Sequence, residues 1–152
     1  MAFLSGLLSF ALLLLLAGNI FNIPLLAQCH ESMRIAAAVM FLLIGFMHLK
    51  APQKLTYMIA GMLPYAHALV VITGILEIGL GAGLLFAATQ YWSAWALIIL
   101  LILMFPANIR VAVLQLPAPG GLPSKPWYTW SRLLFQPVYI WWIWYAVIAH
   151  AG

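Results

Sequence analysis

Five stretches of this chain run apolar for close to the thickness of a bilayer, with almost no charge to interrupt them. A transmembrane helix needs roughly 20 predominantly apolar residues, and in hydrocarbon every backbone N–H and C=O must be satisfied within helices or a closed barrel. Barrel strands alternate apolar and polar residues over about ten positions, a pattern these runs do not follow. They predict an all-α fold, a polytopic transmembrane helical bundle. Charge agrees. Glu31, Arg34, Lys50, Lys54, Glu77, Arg110, Lys125 and Arg132 are the only Asp, Glu, Lys or Arg side chains in 152 residues, where a soluble domain carries about a quarter of its residues charged.

The first run spans Ala2 to about Ala17 and loosens into Asn19, Asn22 and Pro24. No Lys or Arg precedes it and Leu26-Ala27-Gln28-Cys29 is a poor lipoprotein cleavage box, so it reads as a retained helix rather than a signal peptide. The second, Ile35 to Leu49, is short and borrows Arg34 and Lys50 by snorkelling before Ala51-Pro52 stops it. The third runs from Tyr65 to Ala88. The fourth runs from Tyr91 to about Leu116, with Pro106 expected to kink it. The fifth runs from Arg132 to Ile148. Between the last two, four prolines and two adjacent glycines from Leu116 to Pro126 make a loop. Residues 1–30 are then an N-terminal transmembrane helix, a possible signal anchor, and 31–152 a four-helix membrane domain.

Six Lys and Arg against two Glu make the chain basic, but no basic stripe suggests nucleic acid. The excess reads as topology. With five crossings, Lys50, Lys54, Arg110, Lys125 and Arg132 share one side and Arg34 falls on the other, which places the N-terminus in the cytoplasm and the His150 end outside. Glu31 is expected in a short exterior loop. Trp127, Tyr128 and Trp130 at one end of the fifth run, and Trp141, Trp142 and Trp144 toward the other, read as interfacial belts. The single Cys29 excludes an internal disulfide and a Cys-x-x-Cys relay, so redox work would use a bound cofactor or another subunit.

Glu77 is the most informative residue, because it sits about halfway along the third run, where an ionised carboxylate costs several kcal/mol unless paired or hydrated. Gly74 and Gly81 flank it at helical spacing, a small-residue face that lets another helix bring a polar partner close. Proton handling or ligand anchoring is one reading of Glu77; a packing hydrogen bond is the other. In Phe105-Pro-Ala-Asn-Ile-Arg110, Pro106 strips the Ile102 carbonyl of its donor. Asn108 can turn inward there, while Arg110 snorkels to the interface. His48, His67, Arg132 and Gln136 fall on the same side and are expected to form a polar vestibule leading to Glu77. No His-x-x-x-His or Glu-x-x-His spacing supports a metal.

Phe41-Leu-Leu-Ile-Gly-Phe-Met-His48, Met62-Leu-Pro-Tyr65, Ile72-Thr-Gly-Ile-Leu-Glu77, Phe105-Pro-Ala-Asn108 and Arg132-Leu-Leu-Phe-Gln136, in that order, resemble the DoxX-like family of small bacterial membrane proteins. The resemblance covers about Arg34 to Tyr145. It implies a four-helix core plus one extra N-terminal helix, in the bacterial inner membrane. The family's recurrent polar positions fall on His48, Glu77, Asn108, Arg132 and Gln136. Pro137 after Gln136 and the first helix depart from its pattern.

The family's name comes from a subunit of a thiosulfate:quinone oxidoreductase. The resemblance therefore implies a membrane subunit of a quinone-linked oxidoreductase system, working with a partner redox subunit and a lipophilic small molecule, with quinone as bound ligand. Glu77 and His48 are the candidate catalytic residues, and Asn108, Arg132, Gln136 and His67 the candidate ligand-binding ones. Two alternatives stand beside this reading: cofactor-free acid/base chemistry of isomerase type on a membrane-dissolved substrate, and a non-catalytic scaffold, transport or assembly subunit.

Overall fold

A computed structural model describes residues 2–117 and 126–150, and of Ala2 the backbone alone. Among the described residues five helices are long and apolar enough to cross a membrane: α1 (Ala2–Ile20), α2 (Cys29–Lys50), α4 (Ala66–Gly83), α5 (Gln90–Val113) and α6 (Pro126–Val147). A short α3 (Gln53–Thr56) lies between α2 and α4, and a 3-10 turn, Ile148–His150, closes α6. The protein is an all-helical, multi-pass membrane bundle. Most of the expected proline-glycine loop, with Lys125, lies outside the described residues.

The bundle faces its apolar side chains outward as well as inward. Leu103 and Leu134 are 71% and 73% exposed, a cost that water would impose and lipid does not. Inside, α2 is the central helix, packed against α1, α4 and α6, while α5 packs on α4 and α6. Ala36, Ala37 and Ala38 give α2 a narrow waist with almost no exposed surface. α1 joins this core: Leu7 and Ala11 are buried, and Phe3 stands edge-on to Phe41 and Tyr139, with ring centroids 5.5 and 4.7 Å away.

Helix ends differ from the sequence expectation where polar side chains decide them. α2 starts at Cys29 rather than Ile35, because Glu31 in its first turn meets the positive end of the helix dipole and pairs with Arg34. Glu31 is therefore helical rather than in an exterior loop. α2 stops at Lys50 as expected, with Ala51 out of helical geometry (φ −146°, ψ 59°) ahead of Pro52. α4 ends at Gly83, short of Ala88: the Thr89 hydroxyl donates to the Gly83 carbonyl at 2.8 Å, and the Arg34 guanidinium donates to that of Leu84. These bonds satisfy carbonyls that a longer helix would have paired internally. α6 starts at Pro126, ahead of Arg132, with proline in the first turn, where its missing N–H is no loss.

Trp142 departs from the belt reading. It is 5% exposed and its indole N–H donates to the Met33 carbonyl at 3.0 Å, joining α6 to α2, whereas Trp141 and Trp144 remain exposed. A buried indole needs such an acceptor.

The α2–α4 contact depends on glycine. A Cβ on Gly45 would stand 2.6 Å from the Gly74 carbonyl oxygen, and one on Gly81 would stand 3.1 Å from the Phe41 Cβ, whereas one on Gly79 would meet nothing within 4 Å. Gly45→Ala is expected to destabilise the bundle by about 1–3 kcal/mol through overpacking. Gly79→Ala should be neutral or stabilising by up to about 1 kcal/mol. Thermal unfolding of the two variants in detergent micelles checks the contrast.

Candidate functional site

The buried face of α4 is Val70, Gly74, Glu77 and Gly81, spaced four, three and four as a helix repeats. On α2 the facing row is Ala38, Phe41, Gly45 and His48. Gly81 meets Phe41 and Ala38, and Gly74 meets His48 and Gly45, so the two helices run antiparallel. Because Gly74 has no side chain, the His48 Cβ reaches within 2.7 Å of where a Cβ would be. That approach sets His48 against Glu77, which is 3% exposed: imidazole Nδ1 and carboxylate Oε2 are 2.5 Å apart. They face each other as a close contact without hydrogen-bond alignment. The contact brings together an imidazole and a carboxyl group, the two kinds of side chain most used to exchange protons in acid–base chemistry, with Glu77 shut away from water.

A second group joins α5 to α6. Asn108 Nδ2 donates to Gln136 Oε1 at 2.9 Å, and Asn108 Oδ1 accepts from Arg132 Nη2 at 3.1 Å. The Gln136 amide, on a residue 3% exposed, donates in turn to the Leu101 carbonyl. That acceptor is one residue before Ile102, the carbonyl that Pro106 leaves without its helical donor. Beside Gln136 an open groove of about 120 Å³ is lined by Ile102, Phe105, Gln136, Pro137 and Ile140. It is smaller than the ~300–1,000 Å³ of a pocket that encloses a drug-sized ligand, and its surface is apolar: Gln136, the one polar residue beside it, turns its amide to Asn108 and Leu101.

The single vestibule expected from the sequence divides. Among the described residues no hydrogen bond or ion pair links His48 and Glu77 to Asn108, Gln136 and Arg132. His67 sits exposed in the first turn of α4 and joins neither group.

Two polar assemblies escape a reading of the sequence. At one end of the bundle, buried Arg34 donates through Nε to Glu31 Oε2 at 3.0 Å and through Nη2 to the same oxygen, while Nη1 serves Leu84. The spacing of three between Glu31 and Arg34 on one helix is the signal that points to this pair. At the other end, Arg110 does not extend freely into the interface: its Nη1 donates to the carbonyls of Tyr57 at 2.8 Å and Met58 at 3.0 Å. The Tyr57 hydroxyl donates to the Pro117 carbonyl, so the segment between α2 and α4 is tied to both α5 and the chain beyond it. Burial pushes the Tyr57 phenol above its usual range, against the opposing pull of the Arg132 guanidinium. No sequence pattern announces these contacts, since their acceptors are backbone carbonyls.

Together these features define a small multi-pass membrane bundle with an acid–imidazole pair buried between two of its spans. The family model for a domain of unknown function, DUF8561, matches residues 37–147, and the chain belongs to that family. The matched stretch holds His48, Glu77, Asn108, Arg132 and Gln136 and leaves α1 outside. No curated protein and no solved structure matches the chain.

Asn108 is the hinge of the second group, serving Gln136 and Arg132 at once. Asn108→Leu strands an acceptor on one and a donor on the other, and is expected to destabilise the protein by about 1–3 kcal/mol. Thermal unfolding in detergent checks this, and a midpoint unchanged from wild type would show the bonds to be replaceable.

Proposed function

We propose that the protein is a bacterial inner-membrane subunit of a quinone-linked oxidoreductase system, in which His48 and Glu77 exchange the proton that accompanies quinone chemistry. The observation that carries this reading is the buried pair itself: a carboxylate and an imidazole 2.5 Å apart between the second and third membrane spans. An intramembrane acid leans toward proton handling, because lipid makes an idle one costly. The DoxX-like resemblance of the segments around His48, Glu77, Asn108 and Gln136 supports the quinone link.

The groove between α5 and α6 suits a chain rather than a ring. A quinone's isoprenoid tail would lie along Ile102, Phe105, Pro137 and Ile140. Electrons would come from a partner redox subunit, since the sequence has one cysteine and no thiol pair. In this reading the N-terminus is cytoplasmic, following the excess of Lys and Arg at that end of the bundle.

A structural role for the pair has an observation of its own in its favour. Gly45, Gly74 and Gly81 bring α2 and α4 so close that the His48–Glu77 contact also clamps the seam. The two readings separate on paired measurements. Proton exchange predicts that Glu77→Gln lowers quinone-dependent electron transfer in native membranes by about tenfold or more, a typical general acid/base contribution being ~10²–10⁴. Gln keeps the shape and a hydrogen-bonding head, so the unfolding midpoint should shift little. A clamp predicts the reverse: activity per folded molecule unchanged and the midpoint lowered, breaking a buried pair costing about 3–5 kcal/mol. A photoreactive quinone analogue should label α5 and α6 around the groove, with labelling suppressed by excess quinone. Labelling that quinone does not suppress would remove the ligand from the proposal.

A further inference from the structure

The chain has two acidic side chains, and both lie against other groups than Arg132: Glu31 is bonded by Arg34 and Glu77 faces His48. Four Lys and Arg side chains with described structure remain. Lys50 and Lys54 are exposed to solvent, and Arg110 spends Nη1 on two loop carbonyls. Arg132 differs. Among the described residues its Nη2 bonds the neutral Asn108 oxygen alone, and its Nη1 is shut off from solvent with no hydrogen-bond partner. A guanidinium carries five N–H donors in a planar fork and a charge that burial makes costly to leave uncompensated. No carboxylate side chain is left in the chain to supply the compensation.

The surroundings fit an anion. The phenols of Tyr128, Tyr57 and Tyr139 are the electrostatic neighbours of the guanidinium. Exposed Trp127 and Trp130 precede Arg132 on α6 and mark this end of the helix as headgroup level. Phosphate oxygens are the acceptors a guanidinium fork matches best, in two parallel bonds of short, charge-assisted kind.

We propose that Arg132, held in place by Asn108, is a binding site for one phosphate group at this end of the α5–α6 pair, supplied by an anionic phospholipid or by free phosphate. The site stands apart from the redox reading, since neither Glu77 nor a quinone enters it.

The full chain in neutral detergent is titrated with phosphatidylglycerol, with phosphatidylcholine of the same acyl chains, and with inorganic phosphate, reading the unfolding midpoint. A ligand that binds only the folded protein raises the midpoint with concentration. Phosphatidylglycerol or inorganic phosphate is expected to raise it, with phosphatidylcholine weaker. A rise confined to phosphatidylglycerol identifies lipid as the source, and one that phosphate reproduces identifies the free anion.

Arg132→Gln should weaken the effective ligand by about tenfold or more, the equivalent of one strong charge-assisted contact, while Lys54→Gln leaves it within about twofold. Native mass spectrometry of the wild-type chain supplies a reading that does not require the Arg132→Gln variant to fold: one phosphatidylglycerol or phosphate retained per chain in preference to phosphatidylcholine. Equal response to both lipids, no response to either anion, or an Arg132→Gln variant that folds and binds like wild type overturns the proposal.

Discussion

The close approach of α2 and α4 is the constraint on which the rest of the bundle depends. Three glycines make it: Gly45 and Gly74 face each other so nearly that either one's Cβ would strike the other's backbone, and Gly81 admits Phe41. In lipid, apolar burial gives little net drive for helices to associate, so contact distance and the few available polar bonds decide which helices pair. Here the glycines set the distance and His48 with Glu77 supplies the polar contact across it. Neither works without the other. A bulkier seam would hold the carboxylate away from the ring, and an unpaired carboxylate would resist the close packing that excludes water from it.

α2 organises both ends of the molecule in this way. Toward its start, Arg34 reaches back to Glu31 and across to the last turn of α4 at Leu84, and Met33 accepts the Trp142 indole from α6. Toward its end, His48 meets Glu77 on the same partner, α4. Between these polar contacts lie Ala36, Ala37, Ala38 and Phe41, an apolar middle with almost no exposed surface. The helix that touches most of the others therefore has polar contacts at its ends and small residues at its waist, an arrangement that fixes register along its length.

Much of this architecture is legible in the amino-acid sequence. The five spans follow from runs of apolar residues, because length and hydropathy are local properties that lipid tests directly. Glu77 stands out for the same reason, since its cost in hydrocarbon is a property of the residue and its depth. Its partner is less legible: His48 is one of several polar side chains near the same end, and only the glycine seam selects it over His67, which is exposed. Helix ends are displaced wherever a side chain caps a carbonyl from a distance, as Arg34 does at Leu84 and Thr89 at Gly83. Such bonds join residues far apart in sequence or depend on turn geometry, and periodicity carries no trace of them.

The prolines of α5 and α6 show how a sequence irregularity becomes a feature of tertiary structure rather than a break. Pro106 and Pro137 each lie inside a helix that continues past them, though each removes a backbone donor. In water the freed carbonyls would simply be hydrated. In hydrocarbon no water answers them, and the donor that the neighbouring helix supplies falls one residue away: Gln136, next to Pro137, donates to the α5 carbonyl of Leu101, beside the Ile102 carbonyl that Pro106 frees. Its other amide atom is held by Asn108, whose own oxygen holds Arg132. Satisfying the backbone near one proline thus recruits a chain of side chains that ends on a charged residue with a donor to spare, and the groove beside Gln136 opens at the same irregularity. The polar groups of α5 and α6 are thus gathered in one place, beside the two prolines.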